Sequence, residues 1–384
     1  MQRVTTSSSP FTLLQQRLKY VSLHPDRNWN VWVENVPQWE KQVALDSFEE
    51  FSLVSEYAPC EGYPFLLDAL HHREHQMYGI SPNQEQMMVT NGALHALSLI
   101  FRSLYRPNAV VLCQGPILGS VGTVLQNYGF KIKYFSSHQG EVDIERLAME
   151  CEHSDVRLIY INTPHNPTGD ILSEHAISQL VDLVHDKDIK LVADMIYDSI
   201  TFDGAKTYSP IQFSSDWRNI YTVNSMSKNY GSPGLRIGWI VSDHDNIKSL
   251  AGFFEQECVS ISGIPQKKAQ LLIEHGNNEL IKTIYNRRKI VENLLSSFDD
   301  IQYVVPRGGT QFYVKFPVDD VDLFADFLLV NFSLAITTIS NYQGGSGSYI
   351  RVPIIYPTEA TRSAIGLISE GLKQFQKEQH LVLI

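Results

Sequence analysis

The feature that most constrains this chain is a series of seven short apolar runs: QMMVTN, NAVVLCQ, KIKYFSS, VRLIYINT, IKLVADMI, NIYTVN and LRIGWIVS. They are rich in β-branched residues, nearly continuous in apolar character, and set between Gly, Pro, Asn or Asp. A strand with one wet face would alternate; uninterrupted runs belong to strands covered on both faces. Between them lie helical periods, ALHALSLIFRSL, SVGTVLQNYG and SEHAISQLVDLVHDKD. In the last, Ile177, Leu180, Val181, Leu183 and Val184 make one apolar stripe, and Ser173 stands where a helix wants its N-cap. Strands alternating with helices predict an α/β fold with a mostly parallel seven-stranded sheet sandwiched by helices.

After about residue 275 the pattern changes. A long charged helix, ELIKTIYNRRKIVENLLSSF, leads to short strands (QFYVKF, SYIRVPI) and a final amphipathic helix. This reads as a smaller α+β domain built from both termini. At 384 residues the chain is long enough for two such units. The expected boundaries are 1–49 for an N-terminal segment joining the small domain, 50–275 for the large domain and 276–384 for the small one.

Composition narrows the partners. A net charge of −11, with no basic block or Lys/Arg-rich helix, argues against nucleic acid and anionic membrane surfaces. No apolar run reaches the ~18 residues of a membrane span, and the N-terminal sequence has no signal-peptide core. The four cysteines, Cys60, Cys113, Cys151 and Cys258, are widely spaced and form no CxxC pair. Buried, reduced thiols in a cytoplasmic protein are the expectation.

Polar residues gather at the carboxyl ends of the expected strands, the edge of an α/β sheet where ligands bind. VTNGALHAL ends a strand at Asn91-Gly92 and opens a helix at Ala93 and Leu94, whose free N–H groups suit a phosphate. INTPHNPTGD supplies Asn162, His165 and Asn166 on a loop stiffened by two prolines. LVADMIYDS places Asp194 after three apolar residues, with Tyr197 three positions on. A carboxylate there is costly without a cation. SMSKNYGSPGLRIGW then adds Ser225, Lys228 and Arg236. An acid for a protonated ring nitrogen, an amide and a phenol for a ring oxygen, an imine-forming lysine, and a hydroxyl, an arginine and a helix start for a phosphate together describe pyridoxal 5'-phosphate.

In order and spacing, NTPHNPTG, ADMIYDSI and SMSKNYGSPGLRIGW resemble the class I/II aminotransferases of the aspartate-aminotransferase fold, over most of the chain. The resemblance implies an internal aldimine on Lys228 and a contact of Asp194 with the pyridinium nitrogen. It implies Asn166 and Tyr197 at the ring hydroxyl. Gly92, Ala93, Leu94, Ser225 and Arg236 would sit at the phosphate, with Asn166 and Arg351 at the substrate α-carboxylate. Tyr57, in YAPCEGYP, matches the tyrosine lent to the neighbouring subunit's phosphate, which implies a homodimer. The implied reaction moves the amino group of an L-α-amino acid, the small-molecule substrate, to a 2-oxo acid. Lys228 is freed by the substrate and then removes the α-proton.

Two departures stand out. In CQGPILGSVG, Leu118 occupies the place of the aromatic residue that stacks on the cofactor. The N-terminal stretch YVSLHPDRNWNVWVENVPQWEKQ lacks the usual glycine-containing lid and carries His24, Asp26, Arg27, Trp29, Trp32 and Glu34. The tryptophans are expected to pack, and the charges stay open between recognising a polar side chain and simply packing as a helix and strand. These departures keep an alternative open: a lyase or cyclase acting at the β or γ carbon of a polar amino acid, such as an arginine derivative, in secondary metabolism. A cofactor-binding regulator without turnover is disfavoured, because no basic helix-turn-helix is present.

Overall fold

The structure, a computed structural model, describes residues 10–35, 37, 52–153 and 155–382. Residues 1–9, 36 and 38–49 of the N-terminal segment lie outside the described residues, as do 50 and 51 at the start of the large domain.

All seven apolar runs form strands: β1 (Met87–Thr90), β2 (Val110–Gln114), β3 (Lys131–Phe135), β4 (Val156–Asn162), β5 (Lys190–Asp194), β6 (Ile220–Ser225) and β7 (Gly238–Val241). They make one sheet in the order β1-β7-β6-β5-β4-β2-β3. Only β7 runs against its neighbours. Every residue of β1, β2, β6 and β7 is buried, as expected for strands covered on both faces. The expectation of two-sided cover fails at β3, where Lys131, Lys133 and Tyr134 are exposed. β3 is an edge of the sheet, and lysines there discourage pairing with another chain.

The main helices are α1 (Pro10–Leu23), α2 (Pro64–Tyr78), α3 (Ala93–Leu104), α4 (Gly119–Tyr128), α5 (Glu174–Asp186), α6 (Asn278–Leu295), α7 (Val321–Phe332) and α8 (Thr358–Val382). In α5 the Ser173 hydroxyl accepts the Ala176 N–H at 3.0 Å, and the stripe from Ile177 to Val184 is buried. Such a cap contributes about 1 kcal/mol.

A second apolar core, with Phe312, Val314, Phe324, Phe327, Ile350 and Phe375, belongs to the smaller α+β domain. Its antiparallel sheet has the order β8 (Gln302–Tyr303), β9 (Gln311–Lys315), β11 (Tyr349–Pro353), β10 (Thr337–Thr338). The N-terminal segment attaches here. Buried Arg17 of α1 donates to Asp322 and Asp326 of α7, both at 3.0 Å, and Asn30–Val31 pairs in parallel with Leu334–Ala335. Breaking one partner of so buried an ion pair costs about 3–5 kcal/mol. Among the described residues, no helix is long and apolar enough to cross a membrane.

Candidate active site

The carboxyl ends of β4, β5 and β6 deliver Asn162, Asp194 and Ser225 to one edge of the large sheet. Asp194 is buried. Its carboxylate accepts the Tyr160 hydroxyl at 2.9 Å and, more distantly, the Ile196 N–H at 3.4 Å. No cation pairs with it among the described residues, and burial pushes its carboxyl up to about 6, against those two hydrogen bonds. Asn162 supports the same strand end by donating to the Asp194 carbonyl at 2.8 Å.

Lys228 follows β6 on a single helical turn, Met226–Asn229. Burial and the Arg351 charge pull its amine down to about 7, while Glu34 acts the other way. Its Nζ donates to Asn35 Oδ1 at 2.5 Å, and the Asn35 amide in turn donates to the Tyr197 hydroxyl at 2.9 Å. Tyr197 is buried, and burial raises its phenol well above the ordinary value, so it remains a donor. The turn carrying Lys228 is braced from below. Asp198 accepts Arg73, Tyr78, Asn224 and Asn229 at 2.5–2.7 Å, a buried cluster that ties α2 to both sides of the lysine.

Gly92 opens α3 with φ +79° and no side-chain cap, leaving the first N–H groups, those of Ala93 and Leu94 among them, without one. A Cβ on Gly92 would lie 2.4 Å from Arg236 Nη2, so only glycine leaves room for the guanidinium beside this helix start. Arg236 donates to the Pro233 and Asn91 carbonyls at 3.0 and 3.3 Å and is otherwise exposed. Ser225 lies at the edge of the cradle, but its hydroxyl is engaged. It accepts the Ser227 N–H at 3.0 Å and is 3.1 Å from the Ile237 carbonyl. Ser227, a residue not picked out from the sequence, lies 2.9 Å from it.

Asn166 and Leu118 border the same slot as Asp194 and Tyr160. Leu118 lies on the slot wall, with Ile117 and Ile196 as further aliphatic cover. It pairs with Tyr342 through a two-strand contact between Ile117–Leu118 and Tyr342–Gln343. Arg351, on β11, is buried with neutral oxygens around it: the Val33 carbonyl, the Thr337 hydroxyl at 3.3 Å and the Tyr342 hydroxyl at 3.5 Å. Its Nε has no hydrogen-bond partner among the described residues. A buried guanidinium with no carboxylate paired to it among the described residues is set for one from outside.

Tyr57 is not brought to this group. It is 84% exposed and has no hydrogen bond among the described residues. His165 shapes the loop: its ring contacts Thr168 at 2.8 Å, and burial pushes it down to about 4, so it is neutral. Trp32 packs at 2% exposure, as expected for the tryptophans of the N-terminal stretch. Asn35, Tyr160 and Tyr342 went unnoticed in the sequence because no local pattern marks them.

The arrangement offers a buried acid awaiting a cation, an amine drawn down to about 7, an anion cradle and a buried arginine awaiting a carboxylate. Comparison with known proteins agrees. The family model described as aminotransferase class I and II matches residues 25–365. The chain is 38% identical over 97% of its length to a Pseudomonas syringae pv. syringae protein, 97% of which is covered, named L-aspartate:5-guanidino-3-methyl-2-oxopentanoate transaminase. It is 34% identical to the 3-methylarginine biosynthesis aminotransferase ArgM of Streptomyces arginensis, over 94% of this chain and 98% of that one. The fold is similar to that of Thermotoga maritima aspartate aminotransferase, with a TM-score of 0.82 at 20% identity, covering 96% of this chain and 98% of the other. The chain therefore belongs to the class I and II aminotransferases, enzymes that move the amino group of an amino acid to a 2-oxo acid.

Proposed function

We propose that this aminotransferase uses pyridoxal 5'-phosphate to exchange an amino group between L-aspartate and a 2-oxo acid bearing a guanidino side chain. The cofactor reading is supported by Asp194, a buried carboxylate with no cation paired to it among the described residues, and by the space that Gly92 leaves beside Arg236. Asp194 would hold the ring nitrogen's proton, and Tyr197 and Asn166 would donate to the ring oxygen. Arg236, Ser225, Ser227 and the N–H groups of Ala93 and Leu94 would hold the phosphate, with Leu118 excluding water from one ring face. When bound, the cofactor supplies an electron-poor ring that stabilises negative charge at the α-carbon. Lys228, whose amine is drawn down to about 7, would hold the cofactor and would be the group to move the proton at that carbon. Arg351 and Asn166 orient the α-carboxylate.

The side-chain reading is carried by Glu34. Its neighbours Val33 and Asn35 are tied to Arg351 and Lys228, and its own N–H donates to the Tyr356 hydroxyl at 3.0 Å. Its exposed carboxylate forms no ion pair among the described residues, yet its charge reaches Lys228. An acid held at the mouth of the site suits a cationic side chain, and the names of the two relatives, which both concern guanidino compounds, agree. The exposure of Tyr57 supports a homodimer in which it reaches the neighbouring phosphate. Four unpaired cysteines suit a reducing, cytoplasmic setting.

The test supplies purified holoenzyme with L-aspartate and 5-guanidino-2-oxopentanoate, and follows products by chromatography. Arginine and oxaloacetate in equal amounts support the reading. Brisk transfer to 2-oxoglutarate, with none to the guanidino acid, contradicts it.

A further inference from the structure

Asn166 has one acceptor and two donor hydrogens on its side chain, and a half-turn about its last bond exchanges them. Only the NH2 face can donate to a ring oxygen or a carboxylate, so something must set the amide's direction. The structure offers Tyr342. Its hydroxyl lies 2.8 Å from Asn166 Oδ1, and Arg351 Nη1 lies 3.5 Å from the same hydroxyl on the other side. A guanidinium can only donate. The tyrosine oxygen therefore accepts from Arg351 and turns its own hydrogen to Asn166, which must answer with its carbonyl. The NH2 group is left facing the slot, with no hydrogen-bond partner among the described residues.

The backbone fixes both ends of this chain of donors. The Asn166 N–H donates to Asn162 Oδ1 at 2.7 Å. Tyr342 is held against Leu118 by the two-strand contact. Both side chains are buried, so water does not compete for the phenol. Burial also keeps the Tyr342 phenol protonated, opposed only by Arg351.

We propose that Tyr342 is a positioning residue that locks the Asn166 amide with its NH2 toward the cofactor's ring oxygen and links that amide to Arg351, which binds the substrate carboxylate. The proposal rests on the cofactor reading given above. It makes Tyr342 a bridge between domains: Asn166 sits on the large-domain loop and Arg351 on the small-domain sheet. A carboxylate drawing Arg351 toward itself alters the same chain of hydrogen bonds that reaches the ring oxygen.

The test is a pH titration of the visible absorbance of resting holoenzyme, with no substrate present, for wild type, Tyr342→Phe, Asn166→Ala and the double variant. Losing a donor to the ring oxygen raises the midpoint by about one pH unit. The expected result is a rise of that size in both single variants and no further rise in the double. The nearby titratable groups, Glu34, Tyr160, His165, Asp194, Tyr197, Lys228 and Arg351, are the same in all four proteins. A Tyr342→Phe protein that titrates like wild type, while Asn166→Ala shifts, overturns the proposal. Replacing Tyr342 with 3-fluorotyrosine keeps the fold and strengthens the donor, so its midpoint should fall; an unchanged midpoint there also overturns it. A wild-type protein that shows no visible band with added cofactor refutes the cofactor reading instead.

Discussion

Tyr160 reaches across from β4 to place its hydroxyl 2.9 Å from the Asp194 carboxylate, with no cation paired to it among the described residues. The pair is a buried acid stabilised only in part. With its carboxyl raised to about 6, Asp194 favours the folded cofactor-free protein when protonated. That stabilisation is full below about pH 4 and is lost as pH rises through 6. Thermal melts of cofactor-free protein should therefore lose stability between pH 4 and 6 relative to Asp194→Asn. The difference should vanish in the loaded protein, where the ring nitrogen provides the positive charge.

Lys228 gives the opposite slope in another window. Its amine is depressed to about 7 in the folded protein, so the stability it allows is present above its unfolded value near 10.5 and lost as pH falls toward 7. Lys228→Met should flatten the alkaline limb of the same melts. It should also lower turnover by at least about 10²–10⁴-fold, the contribution expected of a positioned proton carrier.

Arg351→Lys keeps the charge but loses the planar fork. The KM for amino acid substrates should rise about 10- to 100-fold, the cost of a charged hydrogen bond, while the visible spectrum of the resting enzyme remains. Equal loss for substrates with and without an α-carboxylate would remove Arg351 from the site.

Glu34→Gln probes the side-chain reading. Because Glu34 is exposed, the expected effect is modest, a rise of about five-fold in KM for the guanidino substrate. Activity with neutral side chains of similar length should not fall. A uniform change across both would make Glu34 a general counter-charge to Lys228.

Asp198→Ala would leave Arg73 buried without its main partner. Melting should register a loss of about 3–5 kcal/mol, and the cofactor should dissociate more readily because Asn224 and Asn229 lose their shared acceptor.

The sheet was legible because a strand covered on both faces must be nearly continuous in apolar character, and six of the seven strands are buried over all but at most one residue. β3 shares their composition but is an edge, and an edge is defined by neighbours the sequence does not state. Lys228, Asp194 and Asn166 stood out because each lies at or just after the end of a strand in a local pattern; Arg351, in the middle of β11, was singled out only by the resemblance. Asn35 and Tyr342 were not: they meet Lys228 and Asn166 across 193 and 176 residues. No periodicity encodes such a meeting. The two-strand contact that seats Tyr342 is too short to leave a strand pattern.

The most direct test of amino transfer through Lys228 is a half-reaction. Holoenzyme is mixed with L-aspartate or L-arginine, without any oxo acid, while the visible spectrum and released products are recorded. The account predicts conversion of the cofactor to its amino form with one equivalent of oxo acid released, abolished in Lys228→Met. Release of ammonia or a cyclised amino acid, with the cofactor returning to its starting spectrum, would contradict it.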